Sequence, residues 1–227
     1  SMAPANKLPL ALQGFRMLTE QLTARDKVSI VVYAGAAGAV LEPTPGNDRA
    51  RVLAALDNLH AGGSTAGGEG LRLAYALAQR NFSERAVNRV IIATDGDFNV
   101  GIADPAQLQD FVSRQRETGI YLSVLGFGGG NYNDALMQRL AQNGNGVAAY
   151  IDTLSEARRV LSDELNGALF PIANDVKIQV EFNPARVAEY RLIGYETRML
   201  RREDFNNDTV DAGEIGAGHS VTAIYEI

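Results

Sequence analysis

Three apolar runs, Val28–Ala34, Val87–Thr94 and Ile120–Phe127, alternate with segments whose apolar residues recur at helical spacing. This alternation constrains the fold more than any other feature, because the two periods cannot be exchanged. A continuous apolar run fits a strand covered on both faces, as in a parallel sheet. Leu8, Leu12, Phe15, Leu18 and Leu22 define an amphipathic helix, Val52, Leu56 and Leu59 a shorter one, and Leu71, Tyr75 and Ala78 a third. Asp104-Pro105 supplies an N-cap and a proline at the first helical position for a helix carrying Leu108, Phe111 and Val112. Asp134–Asn143 reads as a helix and Val147–Ile151 as a strand. Thr153-Leu154-Ser155-Glu156 is a capping box opening a helix with Val160, Leu161, Leu165 and Leu169. The order predicts an α/β fold over residues 1–168: a Rossmann-like, doubly wound, mostly parallel sheet with helices on both faces.

Beyond Phe170 the period changes. Val176, Ile178, Val180 and Phe182 alternate with Lys177, Gln179 and Glu181, which predicts a strand with one dry and one wet face. Val187–Tyr195 and Ser220–Ile227 read as two further strands. Residues 169–227 are therefore expected to form a small C-terminal antiparallel β region that needs partner strands from elsewhere.

Composition removes several function classes. The formal net charge of −6 gives no electrostatic footprint for nucleic acid. With no cysteine and only His60 and His219 as histidines, thiolate zinc sites, cysteine nucleophiles and histidine metal clusters are excluded. The longest nearly apolar run, Val31–Leu41, is far short of the ~20 residues a membrane span needs, so no transmembrane segment is expected in this chain. No signal peptide is visible at Ser1.

Two motifs carry chemistry. Val90-Ile91-Ile92-Ala93-Thr94-Asp95-Gly96 ends an apolar strand in a carboxylate at a tight turn, and Gly62-Gly63-Ser64-Thr65-Ala66-Gly67-Gly68 puts hydroxyls in a glycine-rich loop before a helix. In an open parallel sheet both lie at the carboxyl ends of strands, where such folds bind ligands. A carboxylate and a hydroxyl converging there suit a hard cation.

Thr65, Asp95 and the order of elements around them resemble a von Willebrand factor type A domain, of a bacterial type with a C-terminal β extension. That family carries a metal-ion-dependent adhesion site on three loops: an Asp-x-Ser-x-Ser motif after the first strand, a Thr before a middle helix, and an Asp-Gly pair after a central strand. Gly63-Ser64-Thr65 is similar to the second piece and Thr94-Asp95-Gly96 to the third. Ser1 resembles the closing Ser of the first motif, or is a cloning remnant. The resemblance places the family's central strand, the motif's Asp and its first Ser upstream of residue 1, which implies a gap in the sheet.

The implied metal ligands are Ser1, Thr65 and Asp95, with Thr65 in direct contact, Asp95 direct or through water, and Ser64, Gly67 and Gly68 shaping the loop. The implied ion is Mg²⁺, or Mn²⁺ or Ca²⁺, bound weakly by this chain because Asp95 is its one obvious anionic ligand. The implied function is metal-dependent protein binding of an adhesion type, not catalysis, in which a partner's Asp or Glu completes the coordination sphere. A structural scaffold with a degenerate site is the alternative, with an Asp-based phosphotransferase a more distant one. A periplasmic or cell-envelope location is favoured over a cytoplasmic one.

Other signals are weaker. Asp95-Gly96-Asp97 superficially matches the Asp-x-Asp of haloacid-dehalogenase-type phosphatases, but Phe98-Asn99 stands where that family has Gly-Thr. Asp97 and Asn99 suit turn chemistry better than ligation. Gly126-Phe127-Gly128-Gly129-Gly130 lacks dinucleotide-binding spacing and reads as a strand-to-helix turn. Asp204–Glu214 has oxygen ligands at alternate positions, yet it lacks the central glycine and length of a calcium loop and reads as a polar hairpin connection.

Overall fold

A computed structural model of the chain describes residues 2–33, 37–63, 67–96, 105–129, 134–164, 171–194, 199–207, 210, 212–216 and 220–227. It divides into two compact units, residues 1–165 and 166–227.

The first unit opens with α1 (Leu8–Gln21), which begins with Pro9 in its first turn and buries Leu10, Ala11 and Gly14. Strand β1 (Lys27–Val32) runs antiparallel to β2 (Gly38–Pro45). The short α2 (Arg49–Asp57) is capped by the Asp48 carboxylate, which accepts from Arg51 N–H, and its buried Val52, Ala55 and Leu56 meet Leu41 in a small core. Helix α3 (Gly67–Arg80), strand β3 (Asn88–Thr94), helix α4 (Pro105–Glu117), strand β4 (Ile120–Phe127), helix α5 (Asp134–Asn143) and strand β5 (Ala148–Ile151) follow in alternation. The three strands form a parallel sheet in the order β3-β4-β5, with Thr94 opposite Gly126 and Phe127 opposite Ile151.

The main core sits on this sheet. Ile120, Leu122 and Val124 of β4 are fully buried and pack with Val90 and Ile92 of β3, Leu71 and Tyr75 of α3, Leu108 and Val112 of α4, and Met137 and Leu140 of α5. Of the three strands the middle one is buried along nearly its whole length, whereas β3 alternates buried and half-buried positions. Thr153 Oγ1 accepts from Glu156 N–H and starts α6 (Leu154–Arg158), while the Glu156 carboxylate turns to Arg159 rather than back to the cap. Arg159–Glu164 continues as a π-helical turn whose Leu161 lies against Gly14 of α1; Leu165 and Leu169 lie outside the described residues.

The fold is α/β, with parallel pairing at its centre. Two local expectations fail. Residues 28–34 were expected to be covered on both faces, but β1 alternates between exposed and half-buried positions. Its partner β2, with Leu41 and Thr44 inward, was not foreseen because Pro43 and Pro45 break the pattern of an interior strand. Among the described residues β1–β2 and β3-β4-β5 are separate ladders.

In the second unit β6 (Pro171–Val176) pairs antiparallel with β8 (Gly213–Gly216), and β7 (Arg191–Ile193) with β9 (Ile224–Glu226). The expected strand over 176–182 is absent: beyond Val176 the segment has no ladder, and Ile178 is 70% exposed. Period-two alternation makes a strand only when a partner accepts its backbone groups, and β6 lies just upstream instead. Phe182 stacks on Tyr190 and Tyr225, whose ring centroids lie 4.6 and 5.2 Å away. The described residues of 204–214 do not form a hairpin connection. They follow a 3₁₀ turn at Arg202–Asp204 and join β7 to β8, which belong to different ladders.

Candidate metal centre

Strand β3 delivers Asp95 to the carboxyl edge of the parallel sheet. Its last residue, Thr94, is buried, and the Thr94 hydroxyl accepts from Gly96 N–H at 3.2 Å, which folds the chain into a turn around the carboxylate. Gly96 has φ of 90°, a conformation that costs a side chain dearly.

The Asp95 carboxylate is engaged by a cation. Lys7, at the N-cap of α1, places Nζ 2.9 Å from Asp95 Oδ2, with the two side chains 16% and 10% exposed. The lysine stem crosses Gly128, just past β4, where φ is 77°; a Cβ there lies 2.6 Å from Lys7 Cγ. Burial pushes the Asp95 carboxyl pKa up, but hydrogen bonds and charges from neighbouring cationic groups, the Lys7 ammonium foremost and the chain's N-terminal amine beside it, outweigh it and hold the group below its ordinary value. Asp95 is therefore a carboxylate at neutral pH.

Tyr33, just past β1, reaches the strand that carries Asp95. Its hydroxyl donates to Ala93 O at 2.6 Å, two residues before Asp95. Burial pushes the phenol up to about 12, with the Thr94 hydroxyl lowering it and the Asp95 charge adding to the rise. Gly70, in the first turn of α3, is so close to Tyr33 that any side chain collides with the Tyr33 Cβ. Gly70 thus lets the start of α3 seat beside the end of β1.

Asp95 stands where the sequence puts it. Ser1, Thr65 and Ser64 lie outside the described residues, as do Asp97 and Asn99. Lys7 and Tyr33 were missed, since a lysine at a helix start reads as a solvated charge and a tyrosine at a strand end as core. Among the described residues no group of three or more His, Cys, Asp or Glu gathers to hold a metal. The family's donor set is one of hydroxyls around few carboxylates, and an ionised carboxylate that already holds an ammonium at 2.9 Å fits a cation in chemistry.

Residues 5–163 match the family described as von Willebrand factor type A domain. The chain belongs to this family. Residues 167–227 match a second family, described as the C-terminal region of uncharacterized protein YfbK. Uncharacterized protein YfbK of Escherichia coli K12 is 50% identical over the whole of this chain, which spans 40% of that protein's length. An aerotolerance-related membrane protein from Bacteroides fragilis has a similar fold, at a TM-score of 0.59 and 24% identity over 73% of this chain and 93% of that one. Proximal thread matrix protein 1 from the mussel byssus, with a zinc-occupied metal-ion-dependent adhesion motif, matches at a TM-score of 0.53 and 20% identity, covering 71% of this chain and 40% of that one.

Proposed function

We propose that this chain is a metal-dependent protein-binding module, not an enzyme, in which a divalent cation at Asp95 bridges to a carboxylate of the partner. The observation that carries the reading is Asp95 itself: an ionised carboxylate at the carboxyl edge of a parallel sheet, already turned to a cation at 2.9 Å. The family and the zinc-occupied motif of the mussel protein support it.

The chain's own groups have distinct tasks in this reading. Asp95 is the anionic ligand, and Thr65 and Ser1 are the hydroxyl ligands by the family pattern. Thr94 and Gly96 fix the Asp95 turn, and Tyr33 ties it to the start of α3. The bound ion supplies an open coordination position, and the small number of protein carboxylates keeps that position attractive to a partner's Asp or Glu. Mg²⁺ fits this role best, with Mn²⁺ and Ca²⁺ as alternatives. The Bacteroides neighbour is described as a membrane protein, which supports a place at the cell envelope. Among the described residues no helix is long and apolar enough to cross a membrane.

The Lys7–Asp95 pair also suits a scaffold whose site has lost its metal, and one experiment separates the two. Immobilised, C-terminally amidated peptides presenting an Asp, Glu, Asn or Gln side chain are offered to the protein in Mg²⁺ and in chelator. The module reading expects capture by the acidic peptides only, only with metal, and none by Asp95→Ala. Retention that ignores both metal and the acidic group refutes it.

A further inference from the structure

We propose that Lys7 is a tethered competitor for the metal: its ammonium occupies Asp95 in the metal-free protein, and a divalent cation binds by displacing it. The proposal deepens the metal-binding reading and rests on it.

Lys7 is poorly placed to serve its own helix. It sits at the N-cap of α1, where unpaired N–H groups make a positive end and a cation is disfavoured. Its side chain makes no cap bond to the helix. Instead it lies across Gly128, whose missing side chain leaves the passage open, and delivers Nζ to a carboxylate 88 residues away. Three elements meet in this contact: the start of α1, the end of β3 and the turn after β4.

An ammonium 2.9 Å from Oδ2 and a divalent ion on the same carboxylate repel one another across a partly buried gap. Metal entry therefore requires the lysine to swing off, and the swing frees the segment before α1 from the sheet edge. The apparent affinity falls by the fraction of molecules in which Asp95 is free. Lys7 thus sets a threshold of metal concentration below which the site carries its own counter-ion.

The test compares Mn²⁺ binding, read as loss of the free-ion paramagnetic resonance signal, in the protein extended upstream by the expected central strand and in its Lys7→Met and Lys7→Arg variants. Methionine keeps much of the apolar stem and removes the charge. Lys7→Met is expected to bind about tenfold tighter, as follows if the lysine leaves about a tenth of the molecules open, and Lys7→Arg to bind like wild type. A second readout needs no variant. Acylation of Lys7 by an amine-reactive ester, followed by mass spectrometry, is expected to be slow in chelator and faster in Mg²⁺, while Lys27 does not change. Measurable binding with equal affinities, or Lys7 labelling unaffected by Mg²⁺, overturns the competitor and leaves the metal site standing. No Mn²⁺ binding to any of the three proteins overturns both.

Discussion

The contribution of the Lys7–Asp95 pair to stability can be worked out and measured without metal. Two unit charges 2.9 Å apart have a gross attraction of about 6 kcal/mol at an effective dielectric of about 20. Partial desolvation of both groups and the ordering of a long lysine offset most of it. What remains is in the range of a hydrogen bond between charged groups, about 1.5–3 kcal/mol, above the ~0–1 of exposed pairs because both side chains are largely covered. Lys7→Met and Asp95→Asn should each cost about 1.5–3 kcal/mol, and the double variant less than their sum, with a coupling of about 1–2 kcal/mol. Urea unfolding in chelator at pH 7 measures all four proteins. The carboxyl pKa is lowered in the folded state, so its stabilisation is present above the unfolded carboxylate value and lost as pH falls through the folded one. The coupling should therefore vanish on acidification to below the ordinary Asp range. Additive single effects at pH 7, or a coupling unchanged in acid, would refute the ion pair as the element that holds the start of α1.

Three other perturbations test the frame around the site. Gly146→Ala drives a Cβ into the backbone carbonyl of Leu122, which cannot yield as a side chain can, and should unfold or severely destabilise the domain on thermal melting. The Tyr75 hydroxyl is buried without a hydrogen-bond partner among the described residues, so Tyr75→Phe should be neutral or stabilising by up to about 1 kcal/mol in urea unfolding. Tyr33→Phe removes the hydrogen bond to Ala93 O and should cost about 1–2 kcal/mol, with a faster exchange of amides near the end of β3.

What was legible in the sequence depended on how local its cause was. The run Val90–Thr94 ending in Asp95-Gly96 put the carboxylate at a strand end, because apolar continuity and a turn former are both local signals. Pro105 opening α4 and Thr153 capping α6 were legible for the same reason. Lys7 was not, because nothing near it in sequence distinguishes it from a solvated lysine, and its partner is brought there by the sheet. Strand β2 was hidden by Glu42 and the prolines at 43 and 45, which an edge position tolerates. The alternation over 176–182 misled in the opposite sense: the pattern was present, but its strand partner was not.

The central claim, that Asp95 anchors a divalent cation, is tested most directly by calorimetric titration of Mg²⁺ and Mn²⁺ into a protein extended upstream by the expected central strand, beside its Asp95→Ala variant. The account predicts one saturable site in the extended protein, lost in Asp95→Ala. No binding in the extended protein, or equal binding in the variant, contradicts it.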